Sequence, residues 1–378
     1  LLAIRRGKIM SSIQELLFKP FVSEKLSLPN RLVMAPMTRN HCPENIPTEL
    51  TAAYYKRRAA ADTGLIITEG TPVNHKASCG YDGVPFFYGD AALAAWKHVV
   101  DEVHSVGGKI MPQIWHVGSM RKLGMGPDPT VPGYSPSGMS TPGKIRCHAM
   151  TESDIADAIE AFAQAAADAE RLGFDGVEVH GAHGYLIDQF FWGGVNVRED
   201  KYGGDYIART RFAVEIIQAI RKRVSNNFPV VLRYSQWKQQ DYSVKLAQNP
   251  QELENFLAPL TNAGVDIFDC STRRFWEEEF EGSDLNLAGW TKKITGKPTI
   301  TVGSVGLKGG KGGFTEMALT SEADHDFDKL AKRLERDEFD LVAIGRALLG
   351  DYQWCNKMKR GAFDEMQAYS MQALTKLY

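Results

Sequence analysis

The sequence predicts an α/β fold, a single (β/α)8 TIM barrel. Three features lead there: short all-apolar runs recur along the chain, a longer amphipathic stretch follows each, and about eight such units fit within the 378 residues. Runs without polar alternation suit strands covered on both faces. A doubly wound open sheet is the competing architecture, but no GxGxxG follows the first strand, where a dinucleotide-binding half would carry it. Eight βα units take roughly 250 residues, so the remainder is assigned to loops and extensions, and 1–378 is read as one domain.

In chain order the strands are RLVMAPM (31–37), GLIITEG (64–70), KIMPQIW (109–115), GVEVHGA (176–182), PVVLRYS (229–235), VDIFDCS (265–271), PTITVGS (298–304) and FDLVAIG (339–345). Ahead of them, LLFKPFVSEKLSLPNR reads as a β-hairpin covering the barrel floor. Residues 1–9 are set aside as non-native or an upstream extension, with Met10 as the expected start; Arg5, Arg6 and Lys8 break the stretch too early for a secretory leader. A Pro/Gly/Ser-rich stretch, 117–150, forms a long excursion after strand 3. The clearest helix, TESDIADAIEAFAQAAADAERLGF, opens on Thr151 with Asp154 three positions on, a weak capping box, and closes at Gly173. ARTRFAVEIIQAIRKRV is a second helix, ending near Ser225. GLKGGKGGF (306–314) reads as a flexible surface loop, and the tail FDEMQAYSMQALTKLY as a helix against the barrel or a neighbour.

Composition excludes several classes. With 43% hydrophobic and 24% charged residues and a net charge of -2, nothing marks a disordered, nucleic-acid-binding or membrane-surface protein. No apolar run reaches membrane-spanning length. Cys42, Cys79, Cys147, Cys270 and Cys355 are odd in number and widely spaced, without a CxxC pair, so neither a disulfide framework nor a structural zinc site is expected. Reduced thiols in a cytoplasmic protein are the expectation.

In such barrels the chemistry gathers at the carboxyl ends of the strands. Those ends carry Pro36-Met37-Thr38, Glu69-Gly70, Gln113 with His116, His180 to Tyr185, Arg233, Gly303-Ser304 and Gly345-Arg346. Loops after strands 7 and 8 often hold phosphate, and the two glycine pairs with Arg346 suit that, although tight turns alone also account for the glycines. His180 and His183 can donate two hydrogen bonds to one oxygen, with Tyr185 as a proton donor beside them; a pair of satisfied core histidines is the plainer reading. A metal site is weaker, since HxxH lacks a third ligand. Arg233, set among apolar residues, needs an anionic partner, either a bound cofactor or a structural Asp or Glu.

The motifs RLVMAPMTRN, ITEGTPV, MPQIWH, VGS and IGRALL occur in order, and HGAHGYLIDQFF followed by VNVREDKYGGDYIARTRF is similar to HxAHGYLxxQFLxxxxNxRxDxYGG. From about Leu17 to about Trp354 the chain resembles the Old Yellow Enzyme family of ene-reductases. The resemblance implies noncovalent FMN, reduced by NADPH or NADH, and hydride transfer from flavin N5 to Cβ of an α,β-unsaturated carbonyl or nitroalkene. By resemblance Thr38 tunes the flavin, Pro36, Met37 and Gly70 contact its ring, and Gln113 and Arg233 bind its pyrimidine end. Gly303, Ser304, Gly345 and Arg346 hold its phosphate, His180 and His183 bind the substrate oxygen with His180 also bordering the cofactor, and Tyr185 protonates Cα. No metal, nucleic-acid or membrane partner is implied, and the protein would be a monomer or homo-oligomer.

Departures fall at RYSQWKQQDY, where the family has RxSPxG, at HVGSM in place of HxGR, and at the charged, aromatic STRRFWEEEF. There Arg273, Phe275 and Trp276 either line the mouth or form a solvated loop. A dienoyl-CoA-reductase-like relative would add an iron–sulfur cluster and a second domain, for which no cysteine cluster exists. Two competing functions are a metal-dependent hydrolase using His180 and His183, and a non-catalytic flavin-binding sensor.

Overall fold

The computed structural model describes residues 13–308 and 320–378. The Met10 start, the segment 1–9 and most of the loop 306–314 lie outside the described residues. Eight parallel strands close into a barrel: β1 Leu32–Met34, β2 Leu65–Pro72, β3 Ile110–Trp115, β4 Val177–His183, β5 Val230–Lys238, β6 Ile267–Ser271, β7 Thr299–Val302 and β8 Leu341–Ile344. Each falls on one of the eight apolar runs. The main covering helices are α1 Glu49–Ala60, α2 Asp90–His104, α3 Glu152–Leu172, the short α4 Leu186–Phe191, α5 Tyr206–Arg221, α6 Pro250–Ala263, α7 Leu287–Thr295 and α8 Asp328–Glu335, followed by α9 Arg346–Gly350 and α10 Trp354–Arg360. None of the described helices is long and apolar enough to cross a membrane.

Strand alternation sorts the core into two shells. Val230, Leu232 and Tyr234 of β5 pack outward with the helices, whereas Val231 joins Val33, Ile67, Met111, Ile267, Ile300 and Leu341 inside the barrel. The same period turns Gln113, Glu178, His180, Arg233 and Asp269 inward, so the interior passes from apolar to polar toward the carboxyl ends of the strands. Phe21–Val22 pairs antiparallel with Ser27–Leu28, and Phe21, Leu26 and Leu28 join the inner cluster; the expected hairpin closes the floor. This leaves the opposite rim as the open end.

Local chemistry accounts for the helix ends. Thr151 and Asp154 form both halves of the capping box on α3, and Gly173 ends it with φ 90° in the left-handed region. The excursion after β3 holds short strand pairs, Tyr134–Ser135 with His148–Ala149 and Met139–Thr141 with Lys144–Ile145. The tail departs from expectation. It is not a helix but a strap: Tyr369–Ser370 pairs with Thr320–Ser321, flanked by 3-10 turns at Phe363–Glu365 and Met371–Leu374. Its carbonyls are taken by side chains from the loop after β1. Arg39 Nη2 donates to Ala373 O at 2.6 Å and to Lys376 O at 2.8 Å, and His41 Nε2 lies 2.9 Å from Leu374 O. Short segments gain little from helix formation alone, so these contacts decide the conformation.

Candidate active site

Two connected clefts open at the carboxyl rim. The larger, of about 410 Å³, is lined along one side by Pro36, Met37 and Thr38 and along the other by Gly303, Ser304, Gly345 and Arg346. The smaller, of about 110 Å³, lies among Gly70, Gln113, Trp115, His180 and Tyr185. Pro36, Thr38, His183 and Arg233 border both. Every residue singled out as catalytic or cofactor-binding therefore faces one of the two spaces. His116 does not: it is buried beside the excursion, with Nε2 2.9 Å from His75 Nδ1 and Nδ1 accepting from Gly118 N at 3.0 Å. Of the β6 loop, Arg273 lines the large cleft, while Phe275 is buried in the outer core and Trp276 packs against it. Neither aromatic is among the residues lining the two clefts: Asn286 Nδ2, at the start of α7, and Arg333 Nη2, on α8, donate to the carbonyls of Phe275 and Trp276 at 2.8 and 2.9 Å.

The two histidines differ in their bonding. Burial holds both rings neutral, well below the usual histidine range, and the Arg233 charge adds to this. The Ala182 amide donates to His180 Nδ1 at 3.3 Å, which puts the ring proton on Nε2. His183 Nε2 lies 2.7 Å from Ser271 Oγ, and the rings meet edge to face, with centroids 5.1 Å apart at 86°. A symmetrical two-imidazole clamp is thus not preformed; His183 is tethered to β6. Its ring stacks on Trp237, centroids 4.6 Å apart.

Tyr185 hangs from an unusual turn. His183 has φ 64° and Gly184 φ 77°, two left-handed residues in succession. The Gly184 φ favours glycine, and a Cβ there would fall 1.9 Å from Gln240 Oε1, so the Gln240 side chain would have to give way. The Tyr185 ring meets Trp115 edge to face at 4.8 Å and His180 at 5.1 Å. Burial, reinforced by neighbouring Tyr81, pushes its phenol well above the usual tyrosine range, while Gln239 works the other way.

Arg233 has found a protein anion. Its Nη1 lies 3.1 Å from Asp269 Oδ2, both side chains being buried. Glu178 completes the group and accepts from Gln113 Nε2 at 2.8 Å. Two carboxylates cannot both ionise beside one guanidinium in a dry interior. Burial first, then the Asp269 charge, push Glu178 well above the usual carboxylate range; burial raises Asp269 too, but Arg233 and the hydrogen bond from Glu178 oppose it, which favours the proton on Glu178 and the charge on Asp269. Gln113, with its nitrogen spent on Glu178, turns Oε1 toward the cleft beside Gly70. Glu178 and Asp269 were not singled out from sequence. Their signal was present: each is an isolated acid in an apolar strand, on the same inward period as His180 and Ser271.

The residues present fit a flavin phosphate ester. Arg233 Nε is buried without a hydrogen-bond partner, and the residue borders the shared space. A Cβ at Gly345 would meet nothing closer than Met37 Sδ at 3.6 Å, so the floor there is open to a ligand. Burial lowers the Arg346 pKa, and a guanidinium in that setting gains from an anion. Among the described residues, no three His, Cys, Asp or Glu side chains gather as a metal site.

Comparison with known proteins agrees with this geometry. Residues 16–311 match the NADH:flavin oxidoreductase / NADH oxidase family. The chain belongs to that family. Over 363 residues it is 31% identical to flavin oxidoreductase hxnT of Emericella nidulans, covering 92% of this chain and 91% of that protein. It is 32% identical to 12-oxophytodienoate reductase 2 of Arabidopsis thaliana, covering 73% of this chain and 80% of the relative. Morphinone reductase superposes with a TM-score of 0.77 at 27% identity, covering 95% of this chain and 92% of its own. The resemblance read from the HGAHGYLIDQFF stretch is thereby shown to be family membership, the barrel is that of the family, and the cofactors are FMN and a nicotinamide nucleotide.

Proposed function

We propose that this flavin oxidoreductase is an ene-reductase acting on small α,β-unsaturated carbonyls or nitroalkenes. The observation that carries the reading is the placement of His180 and Tyr185 across one small pocket that opens on the larger cleft. FMN, when bound, supplies the hydride that adds to Cβ, having taken it from NADH or NADPH. Pro36, Met37, Thr38 and Gly70 would flank its ring. Gln113 Oε1 and the free edge of Arg233 would meet the pyrimidine end, and Gly303, Ser304, Gly345 and Arg346 the phosphate. A relative named as a reductase of 12-oxophytodienoate and the structural likeness to morphinone reductase support the substrate class.

The protein's own chemistry then concerns the substrate. His180, with its proton fixed on Nε2, donates to the substrate oxygen and stabilises the negative charge that grows there. His183 adds a second contact once its bond to Ser271 is exchanged for the substrate. Trp115 and the protein wall exclude water. Tyr185 delivers the proton to Cα, and the lifted phenol pKa keeps that proton in place until a carbanionic centre forms. Tyr185→Phe tests this directly. With a weakly activated enone the variant should reoxidise the reduced protein about 10²- to 10⁴-fold more slowly, while reduction by NAD(P)H is unaffected. Unchanged reoxidation would remove Tyr185 as the acid.

A further inference from the structure

Behind the site, the molecule holds a buried ion pair that the mechanism above does not use. Lys238 Nζ lies 2.5 Å from Asp188 Oδ1, and both side chains are 0% exposed. Asp188 lies in the first turn of α4, which begins directly after Tyr185, and Lys238 ends β5, the strand paired with β4. The pairing between β4 and β5 is irregular here. From Gly181↔Tyr234 to His183↔Lys238, β4 advances two residues while β5 advances four. That bulge carries Lys238 past the rim to the level of His183. It is built from QWKQQ, where the sequence departs from its family's continuation.

The second oxygen of Asp188 identifies the target. Oδ2 accepts from the Gly184 amide at 2.7 Å. The other backbone groups of the left-handed turn are claimed by β5, the residues directly after it, and α4. His183 N donates to Ser235 Oγ at 2.9 Å, and Gly184 O accepts from Gln189 Nε2 at 2.7 Å and Gln240 Nε2 at 2.8 Å. Gln239 N reaches His183 O at 3.3 Å. Left-handed conformation at a residue other than glycine persists only where its surroundings over-determine it. A buried ion pair is weak support for stability, because desolvation consumes what attraction supplies. Its geometry is what distinguishes it here: one carboxylate is held by an ammonium on one side and holds the backbone of the proton donor on the other.

We propose that Lys238 and Asp188 are positioning residues for proton delivery: the pair fixes the His183–Gly184 turn and so aims the Tyr185 hydroxyl into the small pocket. This rests on the ene-reductase reading and on Tyr185 as its acid. Neither Lys238 nor Asp188 is among the residues lining the two clefts. The pair acts on the half of the cycle that needs a proton and leaves the other half alone.

The test uses FMN-loaded protein and two paired replacements, Asp188→Leu with Lys238→Met, and Asp188→Asn with Lys238→Met. Neither leaves an unpaired buried charge, and the asparagine version keeps an acceptor for Gly184. In anaerobic stopped flow, reduction by NAD(P)H should stay within about twofold of the parent for both pairs, whereas reoxidation by 2-cyclohexenone should slow on the order of 10- to 100-fold in the leucine pair. The asparagine pair should recover part of the loss. Hydrogen exchange, read without turnover, should show the Gly184 amide exchanging faster in the leucine pair and regaining protection in the asparagine pair. Equal losses in both half-reactions, or normal reoxidation in the leucine pair, would overturn the proposal. Should the leucine pair fail to fold, the asparagine pair decides, through slower enone reoxidation than the parent's at unchanged reduction. Tyr185→Phe separates the two levels: if it reoxidises normally the underlying reading fails, and if it is slow while the paired variants are not, the positioning inference alone fails.

Discussion

Glu178, Asp269 and Arg233 offer a quantitative test of how the barrel tolerates charge beneath the flavin site. If Glu178 carries the proton and Asp269 the charge, Glu178→Gln removes nothing essential. The amide oxygen still accepts from Gln113, and its nitrogen can face Asp269, so the cost should stay below about 1 kcal/mol. Asp269→Asn should be cushioned, because Glu178 can give up its proton and pair with Arg233 instead. The double variant leaves Arg233 buried without a counter-charge and should cost about 3–5 kcal/mol, more than the sum of the singles. With ~2.1 cal/mol/K of unfolding entropy per residue, 378 residues give about 0.8 kcal/mol/K, so the double variant should melt roughly 4–6 °C below the parent. The pH dependence carries a sign as well. A carboxyl whose folded pKa is raised lends stability that is full below its unfolded value of 4.5 and drains as pH rises toward the folded value. Glu178→Gln removes that slope and should gain on the parent between pH 5 and pH 8. Calorimetry of the FMN-loaded proteins reads both effects. A single Glu178→Gln loss as large as that of the double variant would show that Glu178, not Asp269, balances Arg233.

Other predictions follow from the same contacts. Arg346→Leu should weaken FMN retention about 10- to 100-fold, the worth of a charge-assisted hydrogen bond of ~1.5–3 kcal/mol, as measured by fluorescence titration of apoprotein. Unchanged affinity would place the phosphate elsewhere. Glu69, lifted to about 7 chiefly by burial, accepts the Arg39 amide at 2.9 Å beside the loop that carries Thr38. Its contribution to stability is full below pH 4.5 and is lost as pH rises through about 7; Glu69→Gln should flatten that decline, worth up to ~3 kcal/mol, in melting curves taken from pH 5 to 8. A slope equal to the parent's would contradict the assignment.

The strands were legible because parallel barrels bury both faces and write themselves as unbroken apolar runs; the hairpin and the capping box at Thr151 and Asp154 carried local signals, the latter a weak one. The residues that line the two clefts could be picked out because they sit at strand ends, where a polar residue after an apolar run stands out. What escaped was set by partners distant in sequence. The tail was misread because its conformation depends on Arg39 and His41, more than three hundred residues away. The asymmetry of His180 and His183 depends on Ser271, which only the closing of β4, β5 and β6 brings within reach. Likewise the sequence left Arg273, Phe275 and Trp276 open between mouth and solvated loop, because aromatic character shows in sequence and the direction of a loop does not.

The most direct test of the account is an anaerobic visible spectrum of the purified protein, followed by NADPH or NADH and then 2-cyclohexenone. Flavin bands that bleach with the nucleotide and return with the enone are the predicted result. A flavin that bleaches but is not reoxidised by enones or nitroalkenes would contradict the proposed chemistry of the His180 and Tyr185 pocket.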